Sequence, residues 1–228
     1  MKKFFVICTT SPIVLSIVLS LYITIGSDKS ISFWEKSIFV DESKYNVFGS
    51  DGKEKIWRKP GTALNKENLQ PSITGGGESV IVWGCMNIRG TGNLQIIEGI
   101  MDKFVYLNIL QNNLKLSAEK LRIVEDYNFY QDNDPKHKSH LIQQWLIYNV
   151  PHVIATPVQS PDLNPIEYLW EGLNRKIITK SISNRGELKT VLKFEWEQIS
   201  SEITMNLVQL MSRRLQAVVQ AKSYSTKY

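Results

Sequence analysis

The hydrophobic period of the chain changes at Asp102, and that change restricts it to a mixed α/β architecture. Before Asp102 the apolar residues fall in short strand-like runs. Lys36 to Asp41 reads as a strand ending in an acid, and VFGSDGKEKIW sets a Gly-Ser-Asp-Gly turn between two strand-like flanks. SVIVWGCM and NLQIIEG read as two further strands separated by the glycine-bearing NIRGTG, so short connections predict an antiparallel meander. From Asp102, an expected N-cap, Leu107, Leu110 and Leu114 recur at helical spacing, and Arg122 to Tyr130 returns to strand character. A second helix presents Leu141, Ile142, Trp145 and Leu146, and VPHVIA supplies a short buried strand. After Pro165, Ile166, Leu169, Trp170, Leu173 and Ile177 mark a strongly amphipathic third helix. Two more helical patterns, Leu188 to Ile199 and Ile203 to Val219, complete the series.

A strand-rich meander followed by helix, strand, helix, strand, helix is the order of a ribonuclease-H-like fold, an α/β class with a mixed sheet flanked by helices. The 228 residues suffice for one such domain. Ahead of it, residues 4–27 carry no charge after Lys2 and Lys3, close to the ~20 residues that span a bilayer. We therefore expect two parts, an apolar leader over 1–30 and the folded domain over 31–228. The leader reads literally as a signal peptide or membrane anchor. With 27 Lys+Arg against 22 Asp+Glu the charge is +5, which favours polyanionic partners without specifying one. Cys8 and Cys85 cannot build a disulfide framework, and no Cys/His cluster has zinc spacing.

Three acids end recognisable motifs: Asp41 in SIFVDES, Asp132 in NFYQDNDPKH and Glu167 in QSPDLNPIEYLW. In the predicted fold they sit at strand ends and at the first turn of a helix, positions that can converge at one edge of a sheet. Each also has an ordinary structural use. Asp41 before Glu42 and Ser43 suits a strand end or turn; Asp132 and Asp134 lie in a run of turn formers and compete for any metal role. Asn164 as N-cap, Pro165 at N1 and Glu167 at N3 make a capping-box-like helix start.

VDESKYNVFGSDGK, GGGESVIVWGCM, FYQDNDPKH and QSPDLNPIEYLW together resemble, in order, the catalytic (DDE-type) domain of Tc/mariner superfamily transposases, in particular the Tc-like branch. The resemblance runs from about Trp34 to Tyr228, and the 34 residues between Asp132 and Glu167 suit the Tc-like spacing. It implies that Asp41, Asp132 and Glu167 are the catalytic, metal-binding triad, with Asp134 and Asp162 outside it. The implied cofactor is Mg²⁺, with Mn²⁺ as a substitute, and the implied chemistry is hydrolytic cleavage at transposon ends followed by strand transfer. The implied partner is DNA, as transposon ends and as target; a homodimer stays open, a membrane partner holds only if the leader is genuine, and the implied location is the nucleus. The alternatives are an inactive remnant that binds DNA or protein, or a membrane-anchored protein reusing the fold.

Relatives of this kind place paired helix-turn-helix modules before the catalytic domain, where this chain has the leader. We expect end recognition to be lost, and the leader to reflect a truncated or rearranged element or a misjoined gene model. Thr156, Val158 and Lys138 also depart from the family pattern without removing a proposed ligand. Lys53, Lys55, Arg58, Lys59, Lys136, Lys138, Arg175 and Lys176 are candidate phosphate contacts. Trp83, Trp145, Trp170 and Trp196 read as core, and His137 and His140 are given no ligand role.

Overall fold

Alternating faces of a five-stranded sheet divide the domain into two apolar layers. The computed structural model describes residues 29–47, 78–156 and 163–220. In chain order these form α1 (Ile31–Glu35), β1 (Ser37–Asn46), β2 (Ser79–Asn87), β3 (Gly90–Ile97), α2 (Lys103–Lys120), β4 (Asn128–Tyr130), α3 (His140–Asn149), β5 (His152–Val153), α4 (Ile166–Ile178), α5 (Arg185–Glu197), α6 (Ser201–Gln209) and α7 (Met211–Gln220). The strand order is β3-β2-β1-β4-β5. β1, β2 and β3 are antiparallel neighbours, whereas β4 runs parallel to β1 and β5 parallel to β4. The expected mixed sheet flanked by helices is thus present.

Successive side chains of a strand point to opposite faces, so β1 feeds both layers. Phe39 and Tyr45 join Val82, Met86, Leu169, Trp170 and Trp196 on one side. Ile38 and Val40 join Trp83, Cys85, Leu110, Leu114, Ile142 and Leu146 on the other. α2 begins as expected, because Asp102 accepts hydrogen bonds from the Phe104 and Val105 N–H groups at 2.9 and 2.8 Å. All five residues of the amphipathic run after Pro165 are buried on α4.

Several expected boundaries move. Asp41 lies in the interior of β1 rather than at its end, because pairing with β2 continues to Asn46. The β2–β3 connection contracts to Ile88 and Arg89, with Gly90 adopting φ +142° so that the hairpin closes. Only Asn128–Tyr130 of the 122–130 run is strand; Arg122, at φ 58°, turns the chain out of α2 first. The expected buried strand in VPHVIA is the two-residue, exposed β5, which has a single neighbour at the sheet edge, while flanking Val150 and Ile154 take the burial. The pattern from Ile203 to Val219 covers two helices separated at Leu210. Leu210 N–H still reaches Asn206 and Arg214 N–H still reaches Leu210, so Val208, Met211 and Leu215 keep one buried face and the apolar spacing conceals the break. Trp145 is half-buried, whereas Trp83, Trp170 and Trp196 are core as expected. The hairpin expected in VFGSDGKEKIW lies almost wholly outside the described residues. No helix among the described residues is long and apolar enough to cross a membrane, and the leader lies outside them.

Candidate active site

The parallel register between β1 and β4 brings two of the three predicted acids to one line. Phe39 and Tyr130 are the last paired residues of these strands, and their rings lie 5.3 Å apart. Asp41 follows Phe39 by two residues within β1 and so turns to the Phe39 face, whereas Asp132 follows Tyr130 by two residues on the turn that leaves β4, where it meets His137. Beyond that line β4 has ended while β1 continues against β2, so both acids lie just past the carboxyl-terminal end of the parallel pairing, the side of such sheets where ligands bind.

α4 brings the third. Asn164 Nδ2 donates to the Val40 carbonyl at 3.1 Å, one residue before Asp41. Trp170 Nε1 donates to Asp41 Oδ2 at 3.1 Å, and the Tyr45 hydroxyl donates to the Trp170 carbonyl at 3.4 Å. Glu167 lies between these anchors on the first turn of α4 and is exposed. Asn164 therefore ties α4 to β1 instead of capping it by its side chain, and the expected capping box is not the arrangement seen.

Electrostatics report the same proximity. The Asp41 carboxyl is held well above the ordinary carboxylate range, first by burial and then by the negative charges of Glu167, Glu42 and Asp132, with a hydrogen bond from the Glu42 backbone opposing them. Like charges gathered this way favour a cation among them. Hard carboxylate oxygens suit a divalent ion such as Mg²⁺ or Mn²⁺, so the donor chemistry fits the metal that the sequence implies. The charges of Glu167 and Asp132 are felt at Asp41, yet the three side chains are not drawn into a ligand shell. Among the described residues no three His, Cys, Asp or Glu side chains form a group able to hold a metal ion. Asp41 leans on Trp170, and half-exposed Asp132 leans on His137.

Sequence reasoning missed this last residue. His137 is 2% exposed and places Nδ1 2.5 Å from Asp132 Oδ1 and Nε2 3.3 Å from Glu42 Oε1. Its ring packs on Tyr106 with centroids 4.0 Å apart, and the Tyr106 hydroxyl donates to Gln131 Oε1 at 2.6 Å. Burial alone would push the imidazole down, but the hydrogen bond to Asp132 and the negative charges of Asp132 and Glu42 prevail and raise it to about 9. Asp132 is correspondingly lowered: its own burial pushes upward, and the His137 hydrogen bond and charge outweigh it. Glu42 could have been anticipated from strand alternation, which turns it to the face opposite Asp41. His137 carries no such signal, since a turn residue's partners are set by tertiary contact.

A pH dependence follows for the metal-free chain. An imidazole that rises from 6.5 unfolded to about 9 folded stabilises fully below pH 6.5, and that contribution disappears as pH climbs through about 9. The expected loss is up to roughly 3 kcal/mol. Thermal melts in chelator from pH 6 to 10 should show it for the parent and not for His137→Asn; parallel curves would refute the bridge.

The neighbouring acids and bases sort differently from expectation. Lys136 Nζ pairs with Asp134 Oδ2 at 2.5 Å and lies 3.7 Å from Glu42 Oε2, so it is engaged within the protein rather than presented to phosphate. Asp134 accepts from the Lys136 N–H, and its own N–H donates to Asp132 Oδ1 at 3.1 Å, the turn role that leaves Asp132 as the stronger metal candidate. Lys176 pairs with Glu195 at 3.0 Å, while Arg175, Lys138 and His140 are exposed. Lys53, Lys55, Arg58, Lys59, Val158 and Asp162 lie outside the described residues.

Comparison with known proteins places these features in a family context. The model of the DDE superfamily endonucleases matches residues 36–189. The transposable element Tc1 transposase of Caenorhabditis elegans is 40% identical over 195 residues, covering 86% of this chain and 71% of that protein. The Tcb1 transposase of Caenorhabditis briggsae is 39% identical with the same coverage. Among solved structures, the Mos1 mariner paired end complex with Mn superposes with a TM-score of 0.78 at 15% identity, over 96% of this chain and 65% of that one. The Mos1 transposase catalytic domain with Raltegravir and Mn gives a TM-score of 0.72 at 12% identity, over 96% of this chain and 100% of that one. These structural likenesses show a shared fold. The chain spans about two thirds of the Mos1 protein in the paired end complex.

Proposed function

This chain belongs to the DDE superfamily endonucleases as a Tc1/mariner transposase catalytic domain, and on that footing we propose that Asp41, Asp132 and Glu167 are its metal-binding catalytic triad. The domain is residues 31–228, and the reaction is divalent-metal-dependent cleavage and joining of DNA strands. The observation that carries the assignment is the setting of Asp41 within β1, bonded to Trp170 of α4, where burial first and then the negative charges of Glu167, Glu42 and Asp132 hold its carboxyl well above the ordinary range. Mg²⁺ is the working ion and Mn²⁺ a substitute.

Asp41 and Asp132 are the principal holders of the ions, being fixed on the sheet and on the turn that leaves β4. Glu167 completes one shell and orients the attacking water, because its helix is pinned to β1 on either side of it. Divalent ions held by these carboxylates would activate the attacking oxygen and stabilise the departing one. In the first step a water oxygen bonds to phosphorus, the phosphorus–oxygen bond to the 3′ carbon side breaks, and the departing oxygen takes up a proton. In the second, the freed 3′-hydroxyl loses its proton and bonds to a target phosphorus, the target's own bond from phosphorus to its 3′ oxygen breaks, and that departing 3′ oxygen takes up a proton. The protein forms no covalent bond to DNA. Transposon ends and target DNA are the partners, and the nucleus is where they are met.

The test uses the full chain with a DNA duplex, intact or pre-nicked to supply a 3′-hydroxyl. Nicking or joining with Mg²⁺ or Mn²⁺, stopped by EDTA and restored by excess metal, is the expected result. Absence of both products with either ion on pre-nicked DNA, together with no saturable Mn²⁺ binding, would point instead to an inactive DNA- or protein-binding remnant.

A further inference from the structure

The structure assigns His137 a positioning role: held between Asp132 and Glu42, it fixes the rotation of the Asp132 carboxylate so that Oδ2 is the oxygen offered to a metal. This inference rests on the reading of Asp132 as a ligand. Two donors converge on Oδ1, His137 Nδ1 at 2.5 Å and the Asp134 N–H at 3.1 Å, and among the described residues neither contact uses Oδ2. A carboxylate with one oxygen doubly engaged has lost its freedom to spin about the bond to its β carbon, so the second oxygen has one direction.

The clamp is itself held rigidly. Its ring is 2% exposed and packed on Tyr106 at a 31° tilt, its backbone N–H donates to the Asp134 carbonyl at 2.9 Å, and its carbonyl accepts from Gln143 Nε2 at 3.0 Å. The second nitrogen faces Glu42 Oε1 at 3.3 Å, a charge contact from β1, the strand that carries Asp41. One side chain thereby links the strand bearing the first acid to the turn bearing the second. This is the arrangement in which an outer partner orients a ligating carboxylate, and loss of such partners typically weakens metal binding about 10–100-fold.

Two near-isosteric replacements separate positioning from filling of space. Asn at 137 keeps an amide donor near the Nδ1 position and can still hold Asp132. Gln instead reaches the Nε2 position and faces Glu42. Mn²⁺ affinity of the full chain, read from the electron paramagnetic resonance of free Mn²⁺, is expected to fall about tenfold or more in His137→Gln. In His137→Asn it should stay within about threefold of the parent. Exposed His140→Ala serves as the control and should match the parent. Equal losses in the Asn and Gln variants, as a packing defect with a shared drop in melting temperature would give, overturn the assignment, and so does parent-like affinity in both. Failure of the parent to bind Mn²⁺ at all would strike the metal-site reading itself, a separate outcome.

Discussion

Asp132→Asn should reduce metal-dependent strand cleavage by roughly a thousandfold or more, the equivalent of losing about 4 kcal/mol of transition-state stabilisation. The reason lies in which oxygen is already engaged. His137 Nδ1 and the Asp134 N–H both donate to Asp132 Oδ1, so an asparagine must keep its carbonyl oxygen there. Its amide nitrogen then occupies the Oδ2 position and presents hydrogens where a cation requires a lone pair. Shape and local hydrogen bonds persist, and the melting temperature should fall by no more than the share of the His137 bridge that the lost carboxylate charge supplies. Asp134→Asn is the informative companion. Asp134 is paired to Lys136 and serves the turn, so its replacement should cost less than about tenfold in rate. Nicking rates with Mn²⁺ would compare the two directly. A rate for Asp132→Asn within tenfold of the parent, or a larger defect at Asp134, would transfer the ligand role to the neighbouring acid.

The parts legible in the sequence are those governed by local period or by motif. Alternation placed β2 and β3, the i, i+3, i+4, i+7 spacing placed the buried stripe of α4, and Asp102 began α2 where an N-cap should. The acids stood out because each closes a motif. What escaped was set by contact across the sheet. Trp170 looked like one more apolar residue of a helical stripe, yet its indole N–H is spent on Asp41. His137 looked like a loop histidine beside a helix, yet two carboxylates from separate elements enclose it. Asn164 looked like a helix cap, and its amide instead reaches Val40. Polar partners distant in sequence leave no periodicity, which is why the side chains that orient the acids were less visible than the acids themselves. Edge strands fail for a related reason: β5 has too few residues and too little burial to leave an apolar alternation.

Trp170→Ala should cost the domain about 3–5 kcal/mol, a large share of the 5–15 kcal/mol that holds a typical domain together. Three contacts make this indole costly to lose. It is 3% exposed, it stacks on Trp196 with centroids 4.9 Å apart at 24°, and its Nε1 donates to Asp41. Room for it comes from Gly84, which pairs across β1–β2 with Asp41 itself. A Cβ at Gly84 would stand 2.6 Å from Trp170 Cη2 and 3.1 Å from the Trp196 ring, and a rigid indole pinned at its nitrogen has no easy retreat. Gly84→Ala should therefore overpack the layer and destabilise by about 1–3 kcal/mol. Trp170→Phe divides the two functions, since it restores much of the buried apolar volume and none of the hydrogen bond. Urea denaturation should show Trp170→Phe recovering at least about half of the alanine loss. In the same variant a partly buried Asp41 loses its indole donor, and with it the fixed orientation of its carboxylate. Its Mn²⁺ affinity should then fall further than its stability alone explains. A loss under about 1 kcal/mol for the alanine variant would mean that the Gly84 pocket relaxes around the gap. Parent-like Mn²⁺ binding in the phenylalanine variant would show that the indole packs beside Asp41 without orienting it.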